Sequence, residues 1–237
     1  MIPLLHLTTL VSAFFCLFAV LRLYSSYKKT KNRDVGDFLK AFVSLGVYFF
    51  LVSIPVLPFV GASWVQALYI AANAPIMLSA LFLFRAGLRI LGFFYLSKII
   101  FFLTILLVGF IVLLGVIFFS PATQRTFGIF YHWGSDSQPF WLVAFTGFSI
   151  MLLAIGCSIT FFLGGLKSGE KFIKTRSFLI GGGIAFLIAA AFLNWIIPHY
   201  LQGAIRWVAG LSASFVALLG LFFMLWGVYY KETMENR

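Results

Sequence analysis

The feature that most constrains this chain is a series of seven apolar runs, each near the length that crosses a bilayer. A transmembrane helix needs about 20 predominantly apolar residues, and no run carries Asp, Glu, Lys or Arg at its centre. The runs cover about residues 2–24, 41–60, 67–85, 99–120, 141–165, 178–197 and 208–230. Because 62% of the 237 residues are hydrophobic and only 10% are charged, a water-soluble fold could not bury the apolar surface. We predict an all-α integral membrane protein, a seven-transmembrane-helix bundle that forms a single domain over residues 1–237.

Lysine and arginine residues are unevenly distributed among the segments between the runs. If the N-terminus is outside, every Lys and Arg except Arg125 and Arg206 falls on the inner side. Cytoplasmic segments are enriched in these residues, so we predict an external N-terminus and a cytoplasmic C-terminus. No basic segment precedes the first run, so we expect it to be a retained span rather than a cleaved signal. The expected location is a cell membrane, either a prokaryotic inner membrane or a plasma membrane.

The net charge of +11 is explained by the membrane rather than by nucleic acid. The first inner segment, "SSYKKTKNRDVGDFLK", concentrates cations where anionic lipid headgroups would attract them. We therefore expect membrane lipids as partners and no nucleic acid, and a membrane or cytoplasmic protein partner stays open. Cys16 and Cys157 both lie within apolar runs, where we interpret them as small packing residues.

Several chemistries have no support in the sequence. Charged residues at the centre of a span mark pumps, proton-coupled antiporters and voltage sensors, and none is present there. The last run has no lysine for a retinal Schiff base, and neither an HExxH nor a GxSxG motif occurs. We expect no enzymatic activity and no cofactor.

Small residues recur along the last two runs. They form the stripes Gly181, Ala185 and Ala189 in the sixth run and Gly210, Ala213, Ala217, Gly220 and Gly227 in the seventh. Small residues let helix backbones approach closely in lipid. We therefore predict that spans 6 and 7 pack tightly through these stripes, although the glycines at 181–183 are also compatible with a hinge.

Two amides mark a candidate pocket in the outer half of the bundle. Asn73 lies two residues before Pro75, which leaves the Ala71 carbonyl without its helical donor, and Asn194 with Trp195 lies at the outer end of the sixth run. Together with His6 they predict a weakly polar, outward-facing ligand pocket. The alternative is that each Asn simply hydrogen-bonds a neighbouring helix.

All three histidines fall on the predicted outer side. His6, His132 and His199 come from different segments and lack the short spacing typical of zinc ligands. They are weak metal candidates, and ordinary interfacial hydrogen bonding is the simpler interpretation, so we predict no metal site.

The layout resembles the seven-helix membrane sensor region of bacterial histidine kinases. The resemblance is carried by a first span ending in a basic loop, by the outer turn "PVLPFVGASWVQ", by a third span with an internal proline, and by "GLKSGEKFIKTRSFLIGGGIAF" before the sixth span. It implies a receptor-like or sensory module. No kinase domain follows the seventh span here, so signalling would need a separate partner.

The layout also resembles SWEET-type sugar carriers, which have seven spans divided as three, one and three. Here Trp64 and Trp207 follow equivalent outer turns, and Pro58 and Pro198 end the equivalent middle spans. Parallel repeats with a midplane site are a carrier architecture, but the paired prolines of that family are missing from spans 1 and 5. The alternatives to a receptor are therefore a small-solute carrier and a scaffold subunit of a membrane complex.

Overall fold

A computed structural model describes residues 3–57, 60–127, 129–134, 138–195 and 204–230. In this part of the chain, seven helices are long and apolar enough to cross a membrane. The elements are α1 (Leu4–Thr30), α2 (Arg33–Ser53), a single 3-10 turn (Ile54–Val56), α3 (Ala62–Ile90), α4 (Phe94–Ile117), β1 (Thr123–Phe127), β2 (Phe130–Gly134), α5 (Phe140–Lys167), α6 (Lys171–Trp195) and α7 (Ala204–Tyr229). The seven predicted runs each correspond to one helix.

The long basic connection predicted between the first two spans is not a loop. Helix α1 continues to Thr30 and α2 starts at Arg33. Lys31 adopts a left-handed backbone with φ 52°, and the Asn32 side-chain oxygen accepts a hydrogen bond of 2.8 Å from the Asp34 N–H. An asparagine at this position satisfies a free backbone donor at the start of a helix. The apolar run marks only the part of the helix that suits lipid, whereas polar residues extend the helix beyond it.

The fold is all-helical apart from a short β-hairpin, which the sequence did not predict, in the connection between α4 and α5. Strands β1 and β2 pair antiparallel, with Thr123 opposite Gly134 and Phe127 opposite Phe130. The Tyr131 hydroxyl donates to the Pro55 carbonyl at 3.2 Å, beside the 3-10 turn that follows α2. This hairpin therefore lies against the helix ends, and we call that end of the bundle the hairpin end.

Six helices form a closed ring, and one lies outside it. Around the ring, α1 packs on α2, α2 on α3 and α3 on α5. Helix α5 then packs on α6, α6 on α7, and α7 on α1, which closes the ring. Helix α4 packs mainly against α3, outside the ring. The hydroxyls of Thr8 and Ser214 lie 2.8 Å apart and join the first ring helix to the last.

The end of the ring opposite the hairpin, called here the basic end, is closed by aromatic side chains. Phe38, Phe42 and Phe161 are each at most 2% exposed, and the rings of Phe38 and Phe161 are 5.9 Å apart between centroids. They belong to the larger of the two buried apolar clusters. Within the described residues, every Lys and Arg except Arg125 and Arg206 lies in the helix segments or connections nearer this end.

Helices α6 and α7 pack closely through Gly220 and Gly227 of the predicted α7 stripe, but the α6 residue at the contact is Gly183, which is not in the predicted α6 stripe. A Cβ on Gly183 would lie 2.6 Å from the Gly220 carbonyl oxygen, and one on Gly220 would lie 2.7 Å from the Gly183 carbonyl oxygen. A Cβ on Gly227 would lie 2.7 Å from the Ile180 side chain, also on α6. Close approach of backbones at glycine is the expected mode of association in lipid.

The predicted stripe on α6 is wrong in its register. A Cβ on Gly181 would meet the Ser158 carbonyl oxygen at 3.3 Å, so this residue faces α5, whereas Ala185 and Ala189 are exposed. On α7, Gly210 faces Leu5 of α1 at 3.0 Å. The error arises because Gly183 is offset by two residues, about 200° around a helix, from the 181–185–189 stripe.

Candidate functional site

A cavity of about 170 Å³ lies inside the ring, between the hairpin end and the buried rings of Phe38, Phe42 and Phe161, which we call the aromatic floor. All six ring helices line it, including Ser12 of α1, Tyr48 of α2, Ser79 of α3, Met151 of α5, Leu187 of α6 and Ala213 of α7. The lining is mostly aliphatic and aromatic, with six residues that carry a polar hydrogen-bonding group. These are His6, Thr9, Ser12, Tyr48, Ser79 and Ser214. A concave apolar site with a few polar groups between bundled helices is typical of small-molecule binding.

His6 connects this cavity to the hairpin. Its side chain is 1% exposed, and its Nδ1 donates to the Val52 carbonyl at 3.1 Å. Its Nε2 accepts from the Trp133 backbone N–H at 3.2 Å. The neutral tautomer protonated at Nδ1 satisfies both contacts. The Tyr69 hydroxyl also donates to the Trp133 carbonyl at 2.9 Å, so β2 is anchored at the hairpin end of the cavity.

Most hydroxyl groups of the lining are already hydrogen-bonded within their own helix. Thr9 donates to the His6 carbonyl at 2.8 Å, and Ser214 donates to the Gly210 carbonyl at 3.1 Å. Such bonds to a preceding turn are the usual way in which a transmembrane helix satisfies Ser and Thr. These hydroxyls therefore need no ligand.

Ser79 and Tyr48 differ from these residues. Ser79 is 3% exposed and lines the cavity, yet its hydroxyl bonds no residue in the part of the chain that the structure describes. The Tyr48 hydroxyl likewise has no partner among the described residues. Among the described residues these two hydroxyls face the cavity without a hydrogen bond, so they are the polar groups available to a bound molecule.

Helix α3 explains the position of Ser79. The predicted proline lies inside this helix, which stays helical from Ala62 to Ile90 through Pro75. The α3 residues that line the cavity are Ile76, Ser79, Ala80 and Leu83. They begin directly after the proline and repeat at helical spacing. The cavity therefore occupies the segment of α3 that follows Pro75.

The other predicted pocket residues are placed differently. Asn73 and Pro75 are half-buried and are not among the residues lining the cavity, and the Asn73 side chain bonds no described residue. Asn194 and Trp195 are the last two residues of α6, one turn beyond the cavity-lining residues Ala190 and Ala191. Their side chains lie outside the described part of the structure. Of the three predicted pocket residues whose side chains are described, His6, Asn73 and Pro75, His6 is the one that lines the cavity.

Of the three histidines predicted as weak metal candidates, the structure describes the side chain of His6. Both nitrogens of His6 are used in the contacts above, and His132 pairs through its backbone with Arg125 in the hairpin. His199 lies outside the described residues. No group of three His, Cys, Asp or Glu side chains within those residues could hold a metal ion.

Sequence reasoning did not anticipate a buried ion pair at the basic end. Asp37 is 3% exposed, and its Oδ2 lies 2.6 Å from Nη2 of Arg89 on α3 and 3.7 Å from Nε of Arg85. Arg89 also lies 3.0 Å from the more exposed Asp34. The short spacing of the acids in "RDVGD" places both on one face at the start of α2. The pair joins α2 to α3 below the aromatic floor.

Gln66 is a second residue that the sequence analysis missed. It lies near the start of α3 and is fully buried, and neither its amide nitrogen nor its amide oxygen has a partner among the described residues. It does not line the cavity. An isolated glutamine just before an apolar run gives no pattern from which such burial could be predicted.

Comparison with protein-family models gives no match for this chain, and comparison with curated proteins likewise gives none. The described geometry establishes a polytopic protein with seven helices suited to a membrane. It establishes no family.

Proposed function

We propose that this protein is a non-enzymatic, receptor-like membrane protein that binds a small molecule in the ring cavity. The observation that carries the proposal is the combination of an apolar cavity with two unpaired hydroxyls at its lining. A helix bundle that served only as a scaffold would gain stability by filling this space and pairing these groups. The proposal includes an external hairpin end and a cytoplasmic basic end, because cationic segments stay on the cytoplasmic side.

A receptor is favoured over a carrier because side chains fill the ring between the cavity and the basic end. Phe38, Phe42 and Phe161 fill the ring towards the basic end, and the Asp37–Arg89 pair lies beyond them. A carrier must expose its site to each side in turn. A small-solute carrier is the second candidate because α4 lies outside a ring made of two sequential groups of three helices. This division matches the three-one-three layout of the SWEET resemblance.

Cysteine accessibility in sealed vesicles tests the proposal. Ala191→Cys places a thiol in the cavity lining, and Ala189→Cys places a matched thiol on the exposed side of the same helix. Both are made after Cys16→Ala and Cys157→Ala, and a membrane-impermeant thiol reagent is applied from each face. The exposed hairpin residue Gln124, replaced by Cys, reports which face carries the hairpin.

We expect the cavity thiol to react only from the hairpin face and the lipid-facing thiol to react from neither. Reaction of the cavity thiol from both faces would replace the receptor proposal with a carrier. No reaction of the cavity thiol from either face would favour a scaffold, since a site without access cannot take a ligand from solution.

A further inference from the structure

We propose that the ligand is a compact, uncharged, largely apolar molecule about the size of one or two fused rings, with a single hydrogen-bonding group. This inference rests on the proposed function, because it specifies the ligand class of the same cavity. It follows from three properties of the lining: its charge, its volume and its unpaired polar groups.

The first property is charge. Among the side chains that the structure describes, no Asp, Glu, Lys or Arg lines the cavity, and the buried Asp37 is already paired with Arg89 at 2.6 Å. Moving an ion into an apolar site without a counter-charge is strongly unfavourable. Carboxylates, phosphates and ammonium compounds are therefore excluded as ligands of this cavity.

The second property is volume. The cavity measures about 170 Å³, and an engineered apolar cavity of about 150 Å³ in another protein takes up benzene. A six-membered ring with a small substituent therefore fits without displacing helices. A sugar of similar size would bring several hydroxyl groups, most of which would find no partner on this lining.

The third property is the position of the free polar groups. Ser79 on α3 and Tyr48 on α2 come from adjacent ring helices, and both line the cavity without a hydrogen-bond partner among the described residues. The remaining lining hydroxyls of Thr9, Ser12 and Ser214 are already bonded at 2.8 Å, 3.4 Å and 3.1 Å. One polar substituent on the ligand, able to donate and accept, satisfies both free hydroxyls.

Phenol and benzene test this inference, because they differ by one hydroxyl group and both fit the volume. Purified protein in detergent is titrated with each compound, and the shift in thermal midpoint gives an apparent affinity. Benzoate and benzylammonium serve as charged probes of the same size. Ala80→Leu partly fills the cavity. Any shift in thermal midpoint that remains in this variant comes from binding outside the cavity, including the micelle.

We expect the two neutral probes to stabilise the protein, the charged probes to have no effect, and Ala80→Leu to weaken both neutral shifts. Ser79→Ala and Tyr48→Phe should each lower the apparent affinity for phenol about two- to tenfold, the factor that one net hydrogen bond supplies. The apparent affinity for benzene should stay unchanged. Thr9→Val is the matched control in the lining. Because the Thr9 hydroxyl is already bonded, this variant should change the phenol and benzene affinities by less than Ser79→Ala or Tyr48→Phe changes the phenol affinity.

Three results would overturn the inference. The first is an unchanged ratio of phenol to benzene affinity in both Ser79→Ala and Tyr48→Phe. The second is stabilisation by a charged probe, and the third is stabilisation by none of the four probes. These titrations are independent of the cysteine labelling. If the probes fail as described while the Ala191→Cys thiol reacts from the hairpin face alone, the ligand class is rejected and the receptor proposal stands.

Discussion

Replacing each of three consecutive glycines in α6 by alanine should change the stability of the protein in a different direction or by a different amount. A Cβ added at Gly182 meets nothing within 4 Å, one at Gly181 lies 3.3 Å from the Ser158 carbonyl oxygen, and one at Gly183 lies 2.6 Å from the Gly220 carbonyl oxygen. The three alanine variants add the same methyl group to the same helix. Any difference between them therefore reports packing alone.

The expected magnitudes follow from two opposing terms. Replacing a helical glycine by alanine gains about 0.5–1 kcal/mol from the reduced freedom of the unfolded chain. Gly182→Ala should show this gain. At Gly183 the new methyl group meets backbone atoms of Gly220 and Met224, which cannot rotate away, and overpacking costs about 1–3 kcal/mol. We expect Gly183→Ala to be the least stable of the three, about 1–3 kcal/mol below Gly182→Ala, with Gly181→Ala between them.

Unfolding of the purified variants in mixed micelles of increasing sodium dodecyl sulfate content measures these differences, with helix content followed by circular dichroism. Equal stability of Gly182→Ala and Gly183→Ala would refute the close approach of α6 and α7 at Gly183. A loss at Gly181 larger than that at Gly183 would instead support the register predicted from the sequence stripe.

Three further variants probe other parts of the bundle. Asp37→Ala leaves Arg89 buried without its nearest carboxylate, so we expect a loss of about 3–5 kcal/mol in the same assay, against under about 1 kcal/mol for the more exposed Asp34→Ala. Equal losses would contradict the buried pair. His6→Leu removes both the Val52 and the hairpin contacts, and we expect faster amide hydrogen exchange in β2, whereas unchanged exchange would show that other contacts hold the hairpin. Gln66→Met removes two unpaired polar atoms at similar volume, so stability should stay equal or rise by about 1 kcal/mol, and a marked loss would reveal an unrecognised partner.

The number of helices and their approximate positions could be predicted from the sequence because lipid imposes one strong requirement. Each spanning segment must satisfy its own backbone groups and remain apolar over a fixed length. Helix ends were less predictable, since the polar segment from Tyr24 to Lys40 reads as a loop by hydropathy but forms helix on both sides of Asn32. The pattern of side chains in "TQRTFGIFYHWG" is too short to indicate a hairpin that depends on tertiary contacts.

The candidate site was only partly predictable for a related reason. Polar residues in apolar runs attract attention, but their environment depends on how each helix is rotated in the ring. Asn73 and Ser79 lie on the same helix, yet Ser79 lines the cavity and Asn73 does not. The rotation is set by close contacts such as Gly87 with Thr160 between α3 and α5. Such contacts join residues far apart in sequence, so no local pattern specifies them.

The cavity exists only if the first ring helix meets the last, and a disulfide test addresses this contact directly. The hydroxyls of Thr8 and Ser214, 206 positions apart, lie 2.8 Å from each other. Thr8→Cys and Ser214→Cys are combined after Cys16→Ala and Cys157→Ala, with a protease site inserted between α3 and α4, and the sample is oxidised, cleaved and run without reductant. Val11→Cys replaces Thr8→Cys in the control, because Val11 is exposed on the outside of the ring. A closed ring predicts that the two fragments stay linked only in the Thr8 and Ser214 pair, whereas separation of the fragments in that pair, or equal linkage in the control, would contradict a six-helix ring around the cavity.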